Sequence, residues 1–131
     1  MRRQSPIKAP EGAFDADAVW TLFEGRTDRM RQVWRITRSI LPGYMDGLSA
    51  AVESADWASA ARHAHSLAGS AANFGAHALV ATARRIEDRA GEGHVPAGEV
   101  QVARSQFDAL CTSMSVWLDQ VSSPPGAPSA G

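Results

Sequence analysis

The sequence has little of several features that define whole classes of protein. Its single cysteine, Cys111, cannot form an internal disulfide and cannot build a zinc site alone. No apolar run approaches the length of about 18 residues that a membrane-spanning helix needs, and "MRRQSPIKAP" at the N-terminus lacks the apolar stretch of a secretory signal. The net charge of −1 offers no overall attraction for nucleic acid or anionic lipid. We therefore expect a cytoplasmic protein with neither nucleic-acid nor membrane partners.

Catalytic constellations are also missing. No glycine-rich loop is suited to holding a nucleotide, and no grouping of serine, cysteine or carboxylate suggests catalysis by the chain alone. These absences exclude a histidine kinase with its own nucleotide site. We predict a protein without independent catalytic activity and without a cofactor or metal of its own.

Helical periodicity dominates what is present. Of the 131 residues 44% are hydrophobic and 21% are charged, which is typical of one globular domain with a real core. Apolar residues recur at three- and four-residue steps in five segments: 15–24, from Thr27 through Pro42, after Asp56, after Gly75, and from Pro96. No segment alternates with period two for more than a few residues. The pattern predicts an all-α protein, an antiparallel up-down-up-down four-helix bundle with an additional short N-terminal helix.

Both ends of the chain differ from this helical middle. The segments "MRRQSPIKAP" and "SSPPGAPSAG" are rich in proline, serine or glycine and have no apolar periodicity. We predict a flexible N-terminal tail over 1–13, a helical domain over 14–121 and a flexible C-terminal tail over 122–131.

One histidine, His65, is surrounded by unusually small side chains. On a helical wheel, His65 lies about a quarter-turn from the apolar centre of the third helix, at the border between core and solvent. Its neighbours on that face are small except for one arginine: Ala58, Ala61, Arg62, Ala68, Gly69 and Ala72. An imidazole in such surroundings is accessible to a large partner, and Ala61, Ala68 and Ala72 are predicted to contact that partner.

The segment "AHSLAGSAANFGAHAL" resembles the signature of histidine-containing phosphotransfer (HPt) domains. That signature reads His-x-Leu-Lys-Gly-Ser, with Gly-Ala a few residues later, and "ARRIE" at 83–87 is similar to the family's next helix. The matching positions are His65, Leu67, Gly69, Ser70, Gly75, Ala76 and Leu79. The resemblance extends over about residues 15–121.

The resemblance implies a phosphocarrier. His65 would accept a phosphoryl group from a receiver-domain aspartate of a hybrid sensor kinase and pass it to the receiver of a response regulator, in a multistep phosphorelay. Mg²⁺ is expected on the partner receiver and not on this chain, which we expect to be a monomer. An alternative is a helical adaptor that keeps the HPt surface for binding a receiver or kinase domain but carries no phosphate.

One position departs from the family. Its usual lysine, three residues after the histidine, is Ala68 here. Arg62, one turn before His65, is our predicted replacement in the phosphate environment together with Gly69, and Arg84 or Arg85 on the next helix is a weaker candidate.

The remaining candidates have plainer interpretations. We predict surface or packing roles for His63, His77 and His94, and a buried position for Cys111. A metal site made from His63, His65 and His77 is an alternative, although these residues lack the i, i+4 spacing that ligand pairs on a helix use. Three arginines at helical spacing are either a solvated face or an edge for docking an acidic receiver: Arg31, Arg35 and Arg38.

Overall fold

The structure is a computed structural model that describes residues 3–10 and 12–122. Throughout these two ranges the regular structure is helical and contains no strand, which confirms the all-α class. The elements are α1 (Ala16–Leu22), α2 (Thr27–Glu53), α3 (Trp57–Ala72), α4 (His77–Gly91) and α5 (Ala97–Ser122). Each predicted segment therefore corresponds to one helix.

Short polar side chains set two of the helix starts. The Asp15 carboxylate accepts from the backbone N–H of Ala18 at 3.1 Å, and Asp56 accepts from that of Ser59 at 3.2 Å. Hydrogen bonds from the side chain and backbone of Ser59 hold the pKa of the Asp56 carboxyl below its usual value. Helix α2 begins without such a cap, because Thr27 is already helical and the cap residue Arg26 makes no side-chain capping bond.

The second helix runs without interruption through Pro42 over 27 residues. The proline therefore does not end the helix, in agreement with the apolar periodicity that continues through it. The apolar stripe continues on both sides of the proline, with Leu41 and Met45 fully buried. Packing of that stripe offsets the hydrogen bond that proline cannot donate.

The four long helices enclose one core. Helix α2 contacts α3 and α5, and α4 contacts the same two helices, so the pairs close a ring. Trp117, Phe74 and Met30 are among the largest side chains buried inside it. The up-down-up-down direction of all four helices stays a prediction. Cys111 is buried as predicted, and desolvation raises the pKa of its thiol.

Aromatic contacts attach α1 to this ring of helices. Phe23 lies 5.9 Å from Phe74, and Trp20 lies 6.3 Å from Trp117 in an edge-on arrangement. Phe14, just before α1, meets Trp117 edge-on at 5.3 Å. Such pairs stabilise by more than their buried area alone, so the short helix is fixed by tertiary contacts.

Residues 3–10 also lie against the helices. The backbone N–H of Ser5 donates to the Asp17 carboxylate at 2.7 Å, and the Trp117 indole donates to the carbonyl of Ile7 at 2.9 Å. The flexibility that the sequence suggested for 1–13 stays a prediction, but this part has specific partners on α1 and α5. Of the predicted tail 122–131, only Ser122 lies within the described residues.

Gly75 ends the turn after α3 in a conformation that only glycine adopts easily. Its φ is +62°, it is buried, and an added Cβ would lie 2.8 Å from the carbonyl oxygen of Asp15. In return, the Asp15 N–H donates to the Gly75 carbonyl at 2.8 Å. The turn thus joins the start of α1 to the end of α3.

We expect Gly75→Ala to lower the free energy of unfolding by about 2 kcal/mol or more, because left-handed strain and the collision with Asp15 add. Urea denaturation followed by circular dichroism measures this as a lower midpoint with an unchanged slope. Gly69→Ala is the control, since Gly69 is helical and its added Cβ meets nothing within 4 Å. Equal midpoints for Gly75→Ala and the parent would contradict the prediction.

Candidate functional site

His65 lies on the outer flank of α3, with 73% of its side chain exposed. Ala64 and Leu67 on the same helix are fully buried. The ring thus projects from the border of the core, as the wheel predicted, and a reagent or a protein can reach it.

The Glu87 carboxylate on α4 holds this ring. Its Oε2 lies 3.0 Å from Nδ1 of His65, and the Glu87 side chain is 33% exposed. An ionised carboxylate only accepts hydrogen bonds, so Nδ1 carries the proton in this pair. In the neutral ring that leaves the lone pair on Nε2, the atom farther from Glu87. The arrangement orients a nucleophilic nitrogen toward solvent.

Sequence reasoning did not single out Glu87. It is 22 residues from His65, and the "ARRIE" segment served only to support the resemblance. Its position one residue after the buried Ile86 was the available signal, because that places a carboxylate at the edge of the core-facing stripe.

The protein surface around His65 is exposed on one side of the ring and buried on the other. Gly69 is exposed, and a Cβ added to it would meet nothing within 4 Å. Ala72 is exposed and Ala61 is half-buried. Ala68 is only 2% exposed, so its methyl group faces the packed side of α3 rather than a partner. The accessible surface beside His65 is therefore provided by Ala58, Arg62, Gly69 and Ala72, with a smaller contribution from Ala61.

The structure separates the arginines that the sequence grouped near the phosphate. The Arg62 guanidinium donates to the Ser59 hydroxyl at 2.9 Å, one turn back along α3. Arg85 donates to Thr82 at 3.2 Å and lies 3.6 Å from a carboxylate oxygen of Glu99 on α5.

Arg84 is exposed, and no ion pair or side-chain hydrogen bond joins it to any residue in 3–10 or 12–122. Arg62 and Arg85 are thus held by other groups, whereas the Arg84 guanidinium is available.

The other histidines lie apart from His65. The His63 ring packs where Gly47 of α2 lacks a side chain, and Nε2 of His77 lies 3.0 Å from the Asp15 carboxylate. His94 meets Trp57 edge-on at 6.3 Å. Within the described parts of the chain, no three histidine, cysteine or acidic side chains are grouped so that they could hold a metal ion.

Arg31, Arg35 and Arg38 line a groove of about 260 Å³ between α2 and α5. Arg31 lies 3.5 Å from Asp119, and Arg38 lies over the ring of Phe107 at 5.8 Å. His65 faces α4 instead. The row of arginines is therefore on a different side of the ring of helices from His65, and the two do not form one surface.

Comparison with known families identifies the family. The family model described as the Hpt domain matches residues 32–117, more than half of the 131 residues, and the match includes His65 and Glu87. No curated protein and no solved structure matches the chain. The family match indicates a phosphotransfer-type function in two-component signalling, with receiver domains as the interacting modules. In the part of the chain that the structure describes, no helix is both long and apolar enough to cross a membrane.

Proposed function

Since this chain belongs to the Hpt domain family, a family of phosphocarrier modules, we propose that it carries a phosphoryl group on Nε2 of His65. The carrier acts in a multistep phosphorelay between the receiver of a hybrid sensor kinase and that of a response regulator. It works as a cytoplasmic monomer without catalysis of its own. The observation that supports the proposal is the exposed His65 ring with its Nδ1 held by Glu87 at 3.0 Å.

The transfer step uses the lone pair on Nε2. That nitrogen attacks the phosphorus in line with the aspartyl oxygen of the donor, so the N–P bond forms as the O–P bond breaks and its electrons stay on the aspartate. The ring becomes a phosphorylated imidazolium, whose Nδ1–H donates to the Glu87 carboxylate. In the onward transfer a carboxylate oxygen of the acceptor aspartate bonds to phosphorus as the N–P bond breaks, the N–P electrons return to Nε2, and the ring is neutral again.

A second requirement on this chain is access to His65. A receiver presents its aspartate from an acidic pocket that holds Mg²⁺ on the receiver itself, so the carrier must bring its histidine close without obstruction. The open space over Gly69 suits that approach, because a side chain there would stand beside the imidazole.

The experiment that tests the proposal is phosphorylation of the purified protein. Phosphoramidate is a small donor whose P–N bond breaks as the bond to imidazole forms, releasing ammonia; phosphorylated receiver domains are the second donor. We expect labelling by both that is labile in acid and stable in base, the signature of phosphohistidine. Receiver binding without labelling would instead mean that the chain is an adaptor.

Glu87→Ala should slow phosphorylation by phosphoramidate about tenfold, because it removes a hydrogen bond that strengthens as the ring becomes cationic. Nuclear magnetic resonance of the imidazole nitrogens should show loss of the preference for the Nδ1–H tautomer. Asp88→Ala is the matched control, since it removes the adjacent exposed carboxylate of the same helix. A parental rate and tautomer in Glu87→Ala would rule out this role.

A further inference from the structure

We infer that Arg84 of α4 is the cation that binds the phosphoryl group on His65, in the place where the family usually has a lysine on the histidine's own helix. The inference rests on the proposed function. It differs from the sequence-based preference for Arg62, and it follows from the register between α3 and α4, the burial of Ala68 and the engagement of the competing arginines.

The contact between His65 and Glu87 sets the register of the two helices. Only residues 73–76 connect α3 to α4, so the helices run in opposite directions away from that turn. Moving three residues forward from His65 therefore corresponds to moving three residues back from Glu87. Ala68 and Arg84 are thereby brought to the same level. At a rise of 1.5 Å per residue, that level is about 4.5 Å along the helix axis from His65.

The faces of the helices agree with this register. On α4, Ala83 and Ile86 point into the core, and Glu87 lies at its border. Arg84 is exposed on the same flank as Glu87, about 60° farther from the core around the helix axis. On α3, Ala68 lies at the corresponding border and His65 about 60° beyond it. An approximate twofold axis between the two antiparallel helices therefore exchanges His65 with Arg84 and Glu87 with Ala68. Arg84 extends beside Ala68 in the same way as His65 extends beside Glu87.

The burial of Ala68 fits an arginine stem across it. Ala68 is 2% exposed, although His65 and Gly69 on the same helix are both exposed. Ala68 belongs to the buried core of α3, on the flank against which α4 packs, and the α4 residue at its level is Arg84. The small side chain of Ala68 leaves space for the aliphatic part of Arg84, whose charged end continues to solvent.

The competing cations are occupied. Arg62 donates to Ser59, and Arg85 and Arg89 lie 3.6 and 3.9 Å from the carboxylate of Glu99 on α5. Arg84 has no such partner within 3–10 or 12–122, so its donors are unused in the unphosphorylated protein.

A phosphoryl group brings the acceptors that these donors lack. It carries close to two negative charges and three acceptor oxygens, and a planar guanidinium can donate to two of those oxygens at once. The site on α4 leaves Nε2 open to the donor while placing positive charge beside the transferred group. Arg84 therefore stabilises phosphohistidine relative to the free imidazole.

The test is an equilibrium measurement that needs no partner protein. In a mixture of phosphoramidate and ammonium of fixed composition, ³¹P magnetic resonance measures the phosphorylated fraction of His65. Arg84→Ala should lower the equilibrium constant for phosphorylation of His65 about fivefold at low salt, which corresponds to the strongest exposed ion pairs. Molar salt should reduce the difference between Arg84→Ala and the parent, because it screens the ion pair. Arg84→Lys should restore most of the loss, and Arg62→Ala, the matched control on α3, should keep the parental value.

The outcomes separate the inference from the proposed function. If the parent protein is not phosphorylated at all, the proposed function fails. If the parent is phosphorylated but Arg84→Ala has the parental constant, or Arg62→Ala loses as much or more, Arg84 is not the phosphoryl-binding cation. The inference would equally be overturned if the equilibrium constant fell in Arg84→Ala, salt did not reduce the difference from the parent and Arg84→Lys did not restore the parental value. Such a result would indicate a packing effect. Circular dichroism of each variant verifies the fold.

Discussion

His65→Gln is expected to abolish phosphoryl labelling completely while leaving the fold unchanged. Glutamine has no nitrogen lone pair that can attack phosphorus, since its amide nitrogen is conjugated with the carbonyl. The replaced side chain is 73% exposed, so its removal should change the free energy of unfolding by no more than about 0.5 kcal/mol. Labelling with phosphoramidate and urea denaturation measure the two effects separately.

His63→Gln is the matched control for this experiment. It changes the same residue type two positions earlier, but the His63 ring packs against α2 at Gly47 and not toward α4. It should therefore keep full labelling, whatever it does to stability. Undiminished labelling of His65→Gln, or loss of labelling in His63→Gln alone, would place the phosphoryl group on another residue.

A bulky residue at position 69 should have the second largest effect. Gly69→Gln extends a side chain into open space beside His65, so transfer from a phosphorylated receiver should fall by about tenfold or more through obstruction. The helix itself should be stabilised by about 0.5–1 kcal/mol, because glycine is a poor residue for a helix interior. The transfer rate measured by rapid quench should thus fall while the free energy of unfolding measured by urea denaturation rises.

The size of the donor separates access from chemistry. Phosphoramidate is small enough to reach Nε2 past a glutamine side chain, so Gly69→Gln should keep most of its labelling by that donor. Gly98→Gln is the control, since Gly98 is also helical and open but lies on α5. Equal losses with both donors would show that Gly69 affects the reactivity of His65 itself, and unchanged transfer from the receiver would show that the surface needs no clearance.

Local sequence was sufficient for the helices and the family. Apolar spacing, capping by Asp56, and Gly75 at a turn each act within a few residues, so their consequences are readable along the chain. The helical wheel likewise placed His65 at the edge of the core, because burial on one helix follows its own 3.6-residue period.

The surroundings of His65 were decided by tertiary structure. Which residue of α4 meets which residue of α3 depends on the axial register of two helices. Periodicity does not specify that register, because a helix shifted along its neighbour keeps the same apolar stripe. For this reason the sequence could not show that Glu87, 22 residues away, is the partner of His65. The choice between Arg62 and Arg84 as the phosphoryl-binding cation is of the same kind: proximity along one helix is visible in the sequence, whereas proximity between two helices is created only when their side chains pack.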